Sequence, residues 1–149
     1  MTAGLRPMAE ADIPALLDIE RDLFGAEAWS SVLFRSELAE IETRGYVVAA
    51  DPAGIVGYAG LCAYPDDAWV QTLAVRRDRW GAGVGRMLVE WMLAEASRRG
   101  RRRVGLEVRA DNRRAQDLYR RFGFEPIATR RGYYQPSNVD AVIMQREIG

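Results

Sequence analysis

The chain has 149 residues, the length of one domain with its own hydrophobic core. With 48% apolar and 28% charged residues it sits on the soluble globular average, and no apolar run approaches the roughly 20 residues that cross a bilayer, so disordered and membrane-embedded chains are excluded. Formal charge is zero but divided, net −8 over residues 1–75 and net +8 over residues 76–149. This division suits an enzyme with one anionic and one cationic partner, or simply a solvated surface.

Met1 to Pro7 lack the basic start and apolar stretch of a signal peptide, which predicts a cytoplasmic protein. Leu5 to Pro7 reads as a first short strand. From Ala11 to Phe24, Ile13, Leu16, Leu17, Leu23 and Phe24 recur at helical spacing, with Glu20 on the same stripe as Ile13 and Leu17. A second helix over Ser31 to Glu40 has Ser30 as N-cap and Val32, Leu33 and Leu38 as its expected buried side. Strands follow at Tyr46–Ala50 and Ile55–Tyr64, around the turn Asp51-Pro52-Ala53-Gly54, and at Trp69–Val75. The period then changes to 3.6: Val84, Met87, Leu88, Trp91 and Met92 mark a helix that Gly100 ends. Val104–Val108 is a short apolar strand, and Asp111 or Asn112 caps a helix running to Phe122, before Gly123. Phe124–Thr129 and Val139–Arg146 complete the sheet. No repeat, linker or low-complexity tract divides residues 1–149, so one α/β (α+β) domain is expected, a mixed central sheet flanked by helices rather than a doubly wound one.

Missing residue types prune the chemistry. There is no histidine, which removes Ser-His-Asp and Cys-His catalysis and every histidine metal site. The single cysteine, Cys62, can form neither an internal disulfide nor a thiolate metal cluster and reads as strand filler, so no metal is expected. All 21 basic residues are arginine. A general base must therefore be a carboxylate, a tyrosine or an amine.

The most informative stretch is Leu73-Ala74-Val75 leading through Trp80-Gly81-Ala82-Gly83-Val84-Gly85-Arg86 into the long helix. Glycines there let the backbone turn tightly, and unpaired N–H groups at a helix N-terminus hold phosphate. A Walker loop fails for want of lysine. A dinucleotide fingerprint would need a third glycine where Arg86 stands. The remaining pattern, Gln/Arg-x-x-Gly-x-Gly/Ala between strand and helix, resembles the acetyl-CoA loop of the GNAT superfamily, matched by Gly83 and Gly85 with Trp80 in place of the first polar residue.

The likeness extends along nearly the whole chain. Leu106-Glu107-Val108-Arg109-Ala110-Asp111-Asn112, Leu118-Tyr119-x-x-Phe122-Gly123-Phe124 and Arg131-Gly132-Tyr133-Tyr134 resemble segments of the RimI family of ribosomal-protein-alanine N-acetyltransferases. Upstream, Ile19-Glu20, Trp29-Ser30 and Glu37-Leu38 are similar in spacing, although Ala28 stands where that family usually has proline.

The resemblance implies a GNAT fold, acetyl-CoA as cosubstrate, and as acceptor the N-terminal alanine of a small-subunit ribosomal protein. It implies that Trp69–Val75 and Val104–Val108 splay around the cosubstrate, with backbone groups of Leu73, Ala74 and Val75 on the pantetheine arm. Amides of Gly81, Ala82, Gly83, Val84, Gly85 and Arg86 would hold the pyrophosphate. Glu107 would be the general base and Tyr119 the general acid. On the residues alone, Glu107 is also readable as an acid paired with an arginine such as Arg103, and Tyr119 as core. Asn112 is a helix cap, a CoA contact or both. Glu20, Tyr133 and Tyr134 are candidates for holding the acceptor peptide, with ordinary packing as the alternative. Rival functions are acetylation of a small amine, a catalytically silent acyl-CoA sensor, and nucleic-acid binding through Arg98, Arg99 and Arg101 to Arg103.

Overall fold

A computed structural model describes residues 3–149. The elements run in the expected order: β1 (Gly4–Pro7), α1 (Ile13–Phe24), α2 (Ser31–Ala39), β2 (Arg44–Asp51), β3 (Gly54–Ala63), β4 (Asp67–Val75), α3 (Val84–Arg98), β5 (Arg103–Arg109), α4 (Arg113–Arg121), β6 (Glu125–Tyr134) and β7 (Val139–Glu147). The seven strands make one mixed sheet in the order β1-β2-β3-β4-β5-β7-β6. Every pairing is antiparallel except β4 with β5. Period-two burial splits the sheet into two faces. On one, α3 and α4 cover Val56, Ala59, Leu61, Val104 and Leu106. On the other, α1 and α2 cover Tyr46, Val48 and Tyr58. Cys62 is buried on β3. No helix among the described residues is long and apolar enough to cross a membrane.

Two local expectations need correction, and a third is decided between its two alternatives. Ser30 does cap α2, its Oγ accepting the Leu33 N–H at 3.1 Å. The buried side of that helix, however, is Phe34 and Glu37, while Val32 and Leu33 face outward. Phe34 turns inward because its ring packs against Trp29 and Tyr58, at centroid distances of 5.1 and 6.0 Å. Asn112, not Asp111, caps α4: its Oδ1 accepts the Ala115 N–H at 3.1 Å, whereas Asp111 pairs with Arg109. Finally, β6 continues past Thr129 to Tyr134, which pairs with Val139 beyond an irregularity in the ladder, so the two tyrosines lie on the strand's extension.

Candidate active site

The site begins where two parallel strands part. β4 and β5 share only three register pairs, Asp67–Arg103, Ala68–Val104 and Trp69–Gly105. Beyond them β4 pairs only with β3, and β5 only with β7. Opposite Gly60 and Leu61 the β4 register skips Gln71, a bulge that bends the strand at the point of departure. Gln71 Nε2 donates to Glu37 Oε1 of α2 at 3.0 Å, which anchors the bulge from the far side of the sheet.

Ladder alternation then decides which β4 residues face the gap. Arg76 N–H donates to the Val56 carbonyl at 2.8 Å. Stepping by two along an antiparallel pair makes Ala74–Tyr58 and Thr72–Gly60 the hydrogen-bonded pairs. Leu73 and Val75 therefore present their N–H and C=O groups to the gap, as the resemblance implies. Ala74 does not: its backbone is spent on β3, and its side chain is buried among the α1 and α2 residues.

At the outer end of the gap lies the glycine loop. Gly81 and Gly83 adopt φ of 81° and 89°, left-handed values that side chains resist, and Gly83 is the N-cap of α3. Among the described residues the N–H groups of Gly81, Gly83, Val84, Gly85 and Arg86 have no backbone partner, five donors beside a helix N-terminus. Ala82 departs from the expected set, because its N–H is taken by the Arg79 carbonyl at 3.1 Å. Trp80 does what sequence reasoning did not anticipate: its indole N–H donates to the Val75 carbonyl at 2.8 Å, tying the loop to the end of β4.

On the wall formed by β5, Glu107 stands on the face opposite Leu106 and Val108, which are buried under α3 and α4. Arg103 is not its partner, being paired with Glu147 at 2.8 Å; Arg130 approaches Glu107 at 3.6 Å. Hydrogen bonding to Glu107, with burial and the same carboxylate's charge, raises the Tyr133 phenol. Burial and then the Glu107 charge raise Tyr134. Tyr119, on α4, is 5% exposed, and burial followed by the nearby Tyr134 raises its phenol well above the ordinary value. Its ring meets Phe124 edge-on at 5.6 Å. Glu107, Tyr119, Tyr133 and Tyr134 thus form one electrostatic neighbourhood.

Glu20 is 1% exposed, a buried residue of α1. Its Oε1 accepts the Trp29 N–H at 2.8 Å and its Oε2 accepts the Tyr58 hydroxyl, so both oxygens are occupied from within. Direct contact with a peptide is therefore corrected to an indirect role: Glu20 holds the loop between α1 and α2. Glu27, in that loop, was not anticipated. Its carboxylate takes hydrogen bonds from Arg109 and from the Ser137 hydroxyl, and the Ser137 N–H donates to it at 3.2 Å. Arg109 also lies over the Tyr134 ring, 5.4 Å from its centroid. The only hint in sequence was Arg109 itself, within the Leu-Glu-Val-Arg segment.

Two other features lie apart from the gap. An open hollow of about 800 Å³ between α1 and α2, lined by Ile13, Leu17, Arg21 and Arg35 among others, holds none of the expected site residues. In the arginine cluster, Arg98 and Arg99 are tied to Glu95 at 2.6 and 2.7 Å. With Arg103 paired as above, little of that cluster remains for a nucleic-acid backbone.

Known proteins share this fold. The Acetyltransferase (GNAT) family matches residues 13–124. The N-alpha-acetyltransferase RimI of Mycobacterium tuberculosis is 36% identical over 100% of this chain and 98% of its own length. The crystal structure of the ribosomal-protein-S18-alanine N-acetyltransferase from Escherichia coli superposes with a TM-score of 0.88 at 30% identity, covering 99% of this chain and 94% of that one. Arabidopsis thaliana NAA60 in complex with acetyl-CoA shares the fold, with a TM-score of 0.86 at 20% identity and 99% of each chain covered. With its parted strands, its glycine loop and a family match across most of its length, the chain belongs to the GNAT acetyltransferase family.

Proposed function

We propose that residues 1–149 act as one cytoplasmic domain that moves an acetyl group from acetyl-CoA to the N-terminal amine of a protein, with an alanine of a small-subunit ribosomal protein as the preferred acceptor. The observation that carries this reading is the β4–β5 gap, where free backbone groups of Leu73 and Val75 edge β4, β5 carries Glu107, and β4 leads into a glycine loop whose amides have no backbone partner among the described residues. The acceptor class follows that of the bacterial relatives named above.

Leu73 N–H and C=O and Val75 N–H hold the pantetheine arm as a neighbouring strand would, and polarise the acetyl carbonyl. The N–H groups of Gly81, Gly83, Val84, Gly85 and Arg86 hold the pyrophosphate at the N-terminus of α3. Asn112 caps α4 beside them. Glu107 takes a proton from the acceptor ammonium, directly or through water. The amine attacks the thioester carbonyl, a C–N bond forms, the C–S bond breaks, and sulfur leaves as thiolate. Tyr119 supplies the proton that sulfur takes up, and is restored by the second proton that the nitrogen sheds as the amide forms. Burial keeps its phenol protonated at neutral pH and suits it to hydrogen-bond the developing thiolate. Tyr133 and Tyr134 flank the acceptor entrance, and Glu20 acts through the Trp29 loop as a positioning residue.

The test is CoA release from acetyl-CoA with short basic peptides bearing Ala, Ser, Met or acetylated N-termini, with spermidine alongside. Turnover confined to free Ala or Ser N-termini is expected. Turnover on spermidine alone would move the function to metabolite acetylation and overturn the acceptor assignment.

A further inference from the structure

Position 80 is where the chain departs from the pattern it resembles, carrying an aromatic ring in place of a polar side chain at the start of a phosphate loop. That ring is not idle. Its N–H is fixed on Val75, and two guanidiniums lie over it, Arg114 at 4.2 Å and Arg77 at 5.2 Å from the ring centroid.

The arginines around the loop are not equivalent. Arg76 pairs with Asp78 at 2.6 Å, Arg77 with Asp22 at 3.0 Å, and Arg79 with Asp51 at 3.0 Å. Their charges are already answered. Arg114, in the first turn of α4, has no carboxylate partner among the described residues, and its guanidinium lies over the Trp80 ring. A guanidinium uses its face to stack on an aromatic and keeps its edge N–H groups free, in the fork that matches two oxygens of a phosphate. Trp80 thus presents one unspent cation beside five unspent amides. Among the described residues Arg86 and Arg113 are also without a carboxylate partner, but neither guanidinium lies over an aromatic ring.

We infer that Arg114, held over the Trp80 indole, is the cation that binds a phosphate of CoA at this loop, and that the pair replaces the polar side chain expected at position 80. The inference rests on the acetyl-CoA reading above and adds residues which that reading does not assign. The shared chemistry is a phosphate group, from either the pyrophosphate or the 3′-phosphate.

Titration calorimetry with CoA tests it without turnover. Arg114→Ala and Trp80→Ala should each weaken CoA binding about tenfold, the loss typical of one charge-assisted contact. Trp80→Ala/Arg114→Ala should bind no more weakly than Trp80→Ala alone, since both changes remove one contact. Trp80→Phe, which keeps an aromatic face and guards against a folding defect, should retain most of the affinity. Arg114→Ala should also flatten the salt dependence of binding. Repeating the titrations with 3′-dephospho-CoA separates the sources: an undiminished effect of Arg114→Ala places it on the pyrophosphate, a vanished one on the 3′-phosphate, and both support the pairing. Wild-type affinity in Arg114→Ala would overturn the inference, as would an equal loss in Arg113→Ala or additive losses in the double variant. A wild-type chain that binds no CoA would instead overturn the acetyl-CoA reading itself.

Discussion

Trp69 and Gly105 are the last register partners of β4 and β5, and a Cβ placed on Gly105 would stand 3.0 Å from the Trp69 ring. The missing side chain lets the indole close over the final rung before the strands part. Gly105→Ala should force the ring away, at a cost of about 1–3 kcal/mol in stability. Because the displaced rung borders the gap, CoA affinity should fall as well. Denaturant unfolding and CoA titration together check this; wild-type behaviour in both would show that the rung does not set the gap.

Glu107 faces the gap from β5, with Arg130 as an ion-pair partner at 3.6 Å. If its carboxylate receives the ammonium proton, Glu107→Gln removes the acceptor of that proton while preserving shape. Turnover should drop by about 10²–10⁴-fold, the range for a lost general base. CoA affinity should stay within about twofold, because the loop and β4 edge that bind it are untouched. Parallel loss of turnover and affinity would sink the role.

Much of this fold was legible because burial wrote itself into local periodicity. Helix α3 shows its stripe at Val84, Leu88 and Met92 and stops at Gly100, and the β4-loop-α3 sequence is visible in one reading. What stayed hidden was decided by partners distant in sequence. The nine residues of α2 are too few for the apolar pattern to fix its phase, which Trp29 and Tyr58 fix instead. Strand β6 is almost wholly exposed, so no alternation marked its run to Tyr134. Glu27 meets Ser137 across 110 positions, a contact with no local signature. Trp80 was visible as a departure from the pattern, but its bond to Val75 depends on the turn that brings position 80 back to the strand.

Glu27 ties the α1–α2 loop to Arg109 of β5 and to Ser137 of the β6–β7 turn, with Tyr134 beneath Arg109. Hydrogen bonding from the Ser137 hydroxyl, then its N–H and the Arg109 charge, holds the Glu27 carboxyl below the usual range. The link fixes the distance between two loops that border the proposed acceptor entrance. Glu27→Ala should raise the KM for a peptide about five- to tenfold, the loss expected when the link between the loops goes. The KM for acetyl-CoA should not move. An unchanged peptide KM would show that the link is structural only.

Glu20 should leave its mark on the pH dependence of stability. Burial raises its carboxyl above the ordinary 4.5, against the lowering effect of the Trp29 N–H and the Tyr58 hydroxyl. A carboxyl that binds its proton more tightly when folded contributes stability fully present below the unfolded value and lost as pH rises through the folded value. Other carboxylates act oppositely: Asp12 and Asp51 are lowered, chiefly by hydrogen bonds from Arg6 and Arg79, and lose their contribution as pH falls. The raw Tm profile therefore mixes both trends, and the difference between wild type and Glu20→Gln isolates one. The glutamine keeps the shape and an acceptor for the Trp29 N–H but cannot ionise. Relative to wild type, Glu20→Gln should gain in Tm as pH rises from about 4.5 toward neutrality. A difference that stays flat over that range would mean that Glu20 ionises in the folded chain at its ordinary value, and that its burial costs no proton affinity.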